Sequence, residues 1–340
     1  MTIAIIARIA AEVGVSTSTV IRALNSGHIH VRPTVAVRAE RIRALARRYG
    51  YQPNSAAKAL ITGRFRTVEL LTNEDLVFRS YLSNRLLYGV MGELIPRELK
   101  LLLSALPTRI LTDEQALPRA LREHMVDGTL VAYQIPLPAH VDAAIGRLPS
   151  VWINSQRPRD GVRPDDAGAA ATVASHLLDL GHARIAYVDL FAASESPERR
   201  HYSRDERLAG FASAMAARGA PVRICSPALH FQREAPAWCR ALLAAPERPT
   251  AIAAYGAGEA FEVMRAAADL GLRIPGDLSL VVVSGAGEAR LAGMQTPDEE
   301  MGRQAVRMLV KRMAAPRRHV PSLVLPFTWQ EGVSLGPPPR

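Results

Sequence analysis

The stretch IAAEVGVSTSTVIRALN at residues 9–25 decides the fold of the N-terminal region. Its apolar residues recur at helical spacing on either side of Gly14, which predicts two short helices around a tight turn. Ser16 stands where the second helix would begin, because its hydroxyl can accept free backbone N–H groups of the first turn. The inward positions predicted for these two helices are Ile6, Ile9, Ala10, Val13, Val20, Ala23 and Leu24.

A third amphipathic helix is predicted next, and it would complete a three-helix core. Its apolar face consists of Val35, Ala39, Ile42, Leu45, Ala46 and Tyr49. Its other faces carry Arg38, Arg41, Arg43, Arg47 and Arg48. The residues alone leave two interpretations open. One is a helix-turn-helix whose second helix presents short polar side chains and one arginine to DNA, and the other is an unrelated helical bundle with a basic surface.

The charge of the chain is concentrated in this region. The 340 residues carry a formal charge of +10, and residues 1–66, with 11 basic and two acidic side chains, account for +9 of it. Such an excess is the electrostatic signature of a segment that faces a polyanion. The remaining chain is nearly neutral and long enough for about two core domains.

Residues 9–25 resemble the helix-turn-helix of the LacI/GalR (lactose-repressor/galactose-repressor) family, and GYQPNSAAKAL at residues 50–60 resembles its hinge element. The resemblance implies a helix-turn-helix domain at residues 1–53 and a hinge helix with a linker at 54–66. It implies base contacts from Thr17, Ser18 and Arg22. The DNA contacts implied besides these come from Ser16, Thr19, Asn25, Tyr51, Asn54, Ala57, Lys58 and Leu60.

Leu60 would enter the minor groove and wedge between base steps, although it could instead be an ordinary core residue. One departure concerns the second helix, where the small polar residue of the family pattern is Ile21 here. Because Ile21 lies beside Arg22, the departure puts the operator sequence in doubt more than DNA binding itself.

Residues 67–340 alternate between strand-like and helical segments, which predicts an α/β fold with parallel sheets and helices on both faces. The predicted strands are 67–72, 100–103, 127–133, 150–153, 184–189, 250–255, 278–284 and 323–329. The predicted helices are 80–95, 113–124, 166–180, 205–218, 257–270 and 298–313. The length suggests two doubly wound lobes.

Several blocks of this region, such as LDLGHARIA at 178–186, also resemble the family. They imply a periplasmic-binding-protein-like core for effector binding and dimerisation, with a small molecule held in the cleft between the lobes. The implied pocket residues are Asn73, Asp165, Arg207, Phe231, Gly256 and Ser284. Arg207 would grip an anionic or hydroxylated ligand through its forked guanidinium, while each of the others could equally be surface or core.

Two sequence motifs that the family has at the pocket are absent from this chain. An Asn-Asp pair is replaced by Gly256-Ala257, and a Gly-aromatic-Asp run is replaced by residues 282–284, Val-Val-Ser. The loss removes a carboxylate and a carboxamide that usually hold sugar hydroxyls. This loss puts a usual sugar effector in doubt. The alternatives are a sugar-like effector, a less hydroxylated effector, and a regulator that has lost its effector response.

The sequence does not indicate an enzyme. The run Gly256-Ala257-Gly258 fails as a dinucleotide fingerprint, because Phe261 stands where a third glycine is required. Cys225 and Cys239 lack metal-ligand spacing. We expect no catalytic residue, no cofactor and no metal, and neither a secretory signal nor a membrane span.

We therefore expect a sequence-specific transcriptional regulator, in the first instance a repressor, in the cytoplasm and on the nucleoid. Its partners would be a double-stranded, pseudo-palindromic operator, a second copy of the chain and a small-molecule effector. The alternatives are a solute-binding protein that acts through its core and a regulator that no longer responds to an effector.

Overall fold

The computed structural model places the chain in two compact units, Met1–Arg66 and Thr67–Arg340. The structure describes residues 2–25, 33–52, 59, 62–73, 83–111, 113, 117–123, 125–132, 137–190, 192, 200–229, 232–288 and 291–339. Each unit has its own hydrophobic core.

The first unit is a three-helix module of α1 (Thr2–Val13), α2 (Thr17–Asn25) and α3 (Pro33–Arg48). The axis bends by 102° between residues 4–13 of α1 and 17–24 of α2, an angle typical of a helix-turn-helix. The buried core consists of Ile9, Ala10, Val20, Ala23, Ile42, Leu45 and Ala46. The predicted apolar faces are thus confirmed except at Val35, which is 43% exposed because the first turns of α3 extend beyond the core.

The second unit contains two lobes, each built on a six-stranded sheet. The strands of the first lobe are β1 (Thr67–Asn73), β2 (Lys100–Leu106), β3 (Gly128–Ala132), β4 (Ser150–Ile153), β5 (Gly161–Pro164) and β11 (Leu323–Leu325). They are parallel and follow the order β11-β5-β4-β3-β1-β2. Helices α4 (Asn84–Leu94) and α11 (Asp298–Ala314) cover one face, and α5 (Arg119–Arg122) and α6 (Ala139–Ile145) cover the other.

The second lobe repeats the same plan. Its strands are β6 (Ile185–Val188), β7 (Arg223–Cys225), β8 (Ala251–Ala254), β9 (Ser279–Val282), β10 (Ala292–Gln295) and β12 (Thr328–Gln330). Their order is β12-β10-β9-β8-β6-β7, and β12 runs antiparallel to β10. One face is covered by α7 (Asp166–Asp179) and α8 (Ser203–Ala217), the other by α9 (Ala235–Ala244) and α10 (Ala257–Asp269).

The chain passes between the lobes three times. It crosses at Asp165 between β5 and α7, at residues 296–297 between β10 and α11, and at residues 326–327 between β11 and β12. Helix α11 therefore follows the second lobe in sequence and packs on the core of the first. The carboxyl ends of parallel strands from both lobes border the cleft, the position where α/β folds bind ligands.

The predicted α/β fold with two doubly wound lobes is confirmed, with three corrections. The predicted strand 323–329 is two strands in different lobes, and the antiparallel β12 breaks the all-parallel pattern. Of the described residues within the helix predicted at 113–124, only 119–122 are helical, as α5. The elements that the sequence pattern missed are β5, β7, β10, α6 and α9.

Candidate functional site

The start of α2 is fixed by a turn and a cap. Gly14 has φ +70°, a backbone conformation that glycine adopts without strain, and it ends α1. The backbone N–H of Thr19 donates to Ser16 Oγ at 3.2 Å, and the Ser16 and Thr19 hydroxyls lie 3.0 Å apart. Ser16 is therefore the N-cap that the sequence predicts, and α2 presents its first turn as a fixed surface.

The outer face of α2 carries the side chains predicted to read bases. Thr17, Ser18 and Arg22 are exposed, whereas Val20 and Ala23 on the inner face are buried. Short polar side chains in the first turn of a helix, with an arginine one turn further along the same face, can reach base edges in a major groove. Ile21 is half-buried beside this face.

The acidic side chains of the three-helix module are engaged by neighbours. Glu40 pairs with Arg47 at 3.1 Å and with Arg43 at 3.4 Å, and the Arg47 and Arg43 guanidinium groups lower the pKa of Glu40. Glu12 accepts the Tyr49 hydroxyl. The exposed cations of α3 that surround these contacts are Arg38, Arg41, Arg47 and Arg48. The module therefore keeps a positive surface.

The remaining predicted DNA contacts divide into two groups. Asn25 is the last residue of α2, and Tyr51 is half-buried, packs against the module core and donates its backbone N–H to the Ala46 carbonyl at 2.8 Å. The hinge residues Asn54, Ala57, Lys58 and Leu60 lie outside the described residues.

In the second unit, Arg207 is buried at the cleft and held by two partners. Its Nε donates to Asp166 Oδ1 at 2.6 Å, and its Nη1 donates to the Tyr255 carbonyl at 3.0 Å. Asp166 is fully buried, and burial raises the pKa of its carboxyl although the charge of Arg207 lowers it. One turn along α8, a Cβ at Gly210 would lie 2.2 Å from the Ala167 carbonyl oxygen. This close approach of α8 to α7 brings Arg207 to Asp166.

A second ion pair lies beside the first. Arg204 pairs with Asp189, and the guanidinium carbons of Arg204 and Arg207 each lie 4.5 Å from the centroid of the Tyr255 ring. Burial, and next the charge of Asp189, raise the pKa of Glu259 to about 7. Sequence reasoning missed these partners of Arg207. No local spacing could have found Asp166 and Tyr255, because they lie 41 and 48 residues from Arg207 in sequence.

Polar contacts bridge the two lobes across the cleft. In the first lobe, Asn154 Oδ1 accepts the Tyr202 hydroxyl at 2.8 Å, and the Asn154 carbonyl lies 3.2 Å from His201 Nε2. Glu206 accepts from Gln156 at 2.6 Å and from Arg163 at 2.8 Å. Burial lowers the pKa of His201 to about 4, so its ring is neutral near pH 7.

The structure places the other predicted pocket residues as follows. Asn73 ends β1, and its Oδ1 is buried without a hydrogen-bond partner among the described residues. Asp165 caps α7 by accepting the Gly168 N–H at 3.0 Å, Gly256 precedes α10, and Ser284 Oγ lies 3.0 Å from Thr296 Oγ1. Phe231 lies outside the described residues.

The second unit matches a known family. Residues 174–335 match the family described as a periplasmic binding protein-like domain. The HTH-type transcriptional regulator CelR of Thermobifida fusca is 28% identical over 351 residues, with 93% of this chain and 94% of the relative covered. Catabolite control protein A of Priestia megaterium is 26% identical, with 90% and 91% covered. The chain is thus similar to HTH-type transcriptional regulators over about nine-tenths of its length.

Solved structures of regulators share the fold over most of the chain. The lac repressor dimer bound to operator and the anti-inducer ONPF has a TM-score of 0.75 at 19% identity, covering 96% of this chain and 97% of that one. The CelR–cellobiose complex has a TM-score of 0.64 at 24% identity, covering 96% and 98%. The names of these relatives describe transcriptional regulators, which agrees with the expectation that the chain is not an enzyme.

The described residues have two further properties that concern metal binding and membranes. Within them, no group of three or more His, Cys, Asp or Glu side chains could hold a metal ion. No single described helix is long and apolar enough to span a membrane, and the pair of segments 4–13 and 17–24 passes that test only as a bent pair.

Proposed function

We propose that this chain is a repressor that binds a pseudo-palindromic DNA operator as a homodimer and responds to a small molecule in the inter-lobe cleft. It would act in the cytoplasm, on the nucleoid. The observation that carries the proposal is the exposed face of α2, where Thr17, Ser18 and Arg22 follow a capped turn inside a module of formal charge +9. Phosphate attraction would supply affinity and α2 would supply base preference.

A homodimer would supply the specificity that one three-helix module lacks. Two half-sites about one helical turn apart on DNA require two copies related by a two-fold axis. Several large apolar side chains of the second unit are exposed, and a second copy would cover them. Leu103 on edge strand β2 is 45% exposed, Ile224 on edge strand β7 is 48% exposed, and Phe261 on α10 is 61% exposed.

An effector in the cleft would act on the contacts that bridge the lobes. Asn154 and Gln156 of the first lobe bond to Tyr202 and Glu206 of the second, so a ligand between them must displace or replace these hydrogen bonds. The resulting change in lobe position would alter how two hinge segments meet DNA. Arg207 would contribute through the guanidinium donors not used by Asp166 and Tyr255.

A second candidate is a LacI/GalR regulator without an effector. The favouring observation is that several cleft groups pair with one another: Arg207 binds Asp166, Arg204 binds Asp189, and the Tyr255 hydroxyl lies 2.8 Å from Ser203 Oγ. A thermal-shift screen of sugars, nucleobases and amino acids on the full chain separates the two candidates. Stabilisation by one class favours effector control, and uniform silence favours the second candidate.

The test of DNA binding is selection of genomic fragments by the full chain at a defined salt concentration, followed by fluorescence anisotropy on the enriched sequence. We expect a pseudo-palindromic site, bound at least about a thousandfold more tightly than random DNA. Arg22→Ala should abolish the preference at one base pair of each half-site, whereas Arg119→Ala, on the first lobe, should leave binding unchanged. Retention of all fragments alike would contradict the proposal.

A further inference from the structure

A groove on the first lobe, which we call the α11 groove, lies apart from the cleft contacts described above. It has a volume of about 840 Å³ and runs between the C-terminal half of α11 and the segment 315–323 that leads into β11. This volume is in the range of small-molecule sites, about 300–1,000 Å³. Its apolar wall includes Met308, Val310, Val320 and Leu323.

The polar side chains of the α11 groove are predominantly basic. Arg97, Arg307, Lys311 and Arg318 line it, and none of the described residues that line it is acidic. Outside the lining, Glu93 pairs with Arg97 at 2.6 Å and with Arg307 at 2.7 Å. The single negative charge of Glu93 therefore neutralises only one of these two guanidinium charges. Within the described residues, Lys311 and Arg318 form no ion pair, so the groove keeps an excess positive charge.

The far wall of the groove is held in place by buried contacts. Asp160 is 7% exposed, accepts the backbone N–H of Val320 at 2.9 Å and pairs with His319. Arg312, also buried, donates to the carbonyls of Pro316 at 2.6 Å and Arg318 at 2.8 Å. These contacts fix the backbone that carries Arg318. The cations are thus presented by a formed wall, which lowers the entropic cost of binding.

We propose that the α11 groove binds a small organic anion, namely a carboxylate or phosphate ester carried on an apolar body. Guanidinium and ammonium groups form charge-assisted hydrogen bonds with such anions, and the apolar wall covers the rest of the molecule. A bare inorganic anion would leave most of the groove unfilled. The site is independent of the proposed effector cleft, because none of its lining residues takes part in the bridges between the lobes.

The position of the groove gives the bound anion a route to the whole second unit. Helix α11 begins directly after the crossing at residues 296–297, and β11 ends directly before the crossing at 326–327. A ligand in the groove contacts α11 and β11, the two elements that these crossings join to the second lobe. The anion would therefore change the stability of the lobe arrangement without entering the cleft.

The experiment is isothermal titration calorimetry on the full-length chain with three probes: phenyl phosphate, inorganic phosphate and phenol. The groove variant is Lys311→Gln/Arg318→Gln. The matched control is Arg147→Gln/Arg317→Gln, which removes the same charge at exposed positions outside the groove. Circular dichroism melting of each variant verifies that it is folded.

We expect saturable binding of one phenyl phosphate per chain, with inorganic phosphate and phenol each at least about tenfold weaker. The groove variant should weaken phenyl phosphate binding about tenfold or more, as the loss of one charge-assisted contact predicts, and the control should change it less than about twofold. The proposal is overturned if phenyl phosphate does not saturate, if both double variants weaken it equally, or if inorganic phosphate binds as tightly.

Discussion

Replacing Arg207 by Gln should destabilise the second unit by about 3–5 kcal/mol, the range for removing one partner of a buried ion pair. Arg207 is 8% exposed and Asp166 is fully buried, so solvent cannot replace the lost partner. Asp166 Oδ1 would lose its 2.6 Å contact with the guanidinium, and Oδ2 already has no hydrogen-bond partner among the described residues. The Tyr255 carbonyl would lose a donor as well.

The loss should depend on pH. Burial raises the pKa of Asp166, and Arg207 opposes that shift, so removing Arg207 raises the pKa further. Between the ordinary carboxyl pKa and this raised value, the native variant binds more protons than the unfolded chain. Its free energy of unfolding therefore falls as the pH rises through that window. The deficit relative to the unmodified protein should therefore shrink as the pH is lowered.

The assay is urea unfolding at pH 7 and pH 5, monitored by tryptophan fluorescence. Arg218→Gln is the control, because its pair with Asp179 at 3.0 Å is exposed and should contribute at most about 1 kcal/mol. Asp166→Asn in the Arg207→Gln background should recover part of the loss, since no buried charge remains. A loss below about 1 kcal/mol for Arg207→Gln, or no recovery in the double variant, would refute the reasoning.

Three further predictions concern single side chains. Ser16→Ala should destabilise the N-terminal module by about 1 kcal/mol through loss of the cap on α2, measured by amide hydrogen exchange. Arg22→Ala should lower affinity by about 1–3 kcal/mol at one base position, whereas Arg47→Ala should weaken all sequences alike and reduce the salt slope by about 1, measured by anisotropy. Because the pKa of His201 is lowered from 6.5 to about 4, the native state binds fewer protons than the unfolded chain in this range, and its stability should fall as the pH drops from 6.5 toward 4. His201→Asn should flatten this decline in urea titrations.

Each of these has an outcome that contradicts it. Unchanged exchange in α2 of Ser16→Ala would mean that the hydroxyl does not cap the helix. A uniform loss of affinity for Arg22→Ala would place this side chain on phosphates instead of bases. A pH dependence that survives in His201→Asn would assign the titration to another group.

The N-terminal module could be predicted closely because its core repeats at helical spacing and its turn has a specific chemistry. Gly14 and Ser16 mark the end of one helix and the start of the next, and the structure places both as expected. The prediction that Val35 is buried was wrong. Helical periodicity identifies which face of α3 is apolar, but how far along α3 that face is covered depends on where α1 and α2 end.

In the second unit, the missed strands are short. β5, β7 and β10 have four, three and four residues, too few to show a period of two. Residues 323–329 were predicted as one strand because both halves have strand-like composition, although the chain passes from one lobe to the other at Pro326. Which lobe each half joins depends on packing and not on local pattern.

In the cleft, the sequence allowed us to predict that Arg207 is a site residue, but not which residues bind it. Arg207 could be singled out from its place relative to Gly210, but Asp166 and Tyr255 lie 41 and 48 residues away in sequence. Contacts of that separation depend on the completed fold. The α11 groove was not predicted for the same reason, since Arg97 and Arg318 come together only through the packing of α11 on the first lobe.

The three passages between the lobes bear on how the chain is made. Synthesis proceeds from the N-terminus, so the module at residues 1–66 can fold while most of the chain is still untranslated. The first lobe cannot, because its core requires Met301, Val306 and Leu309 of α11, and its edge strand ends at Leu325. A nascent chain that stalls before residue 298 would therefore carry a finished module on two incomplete lobes, and would depend on chaperones or be degraded.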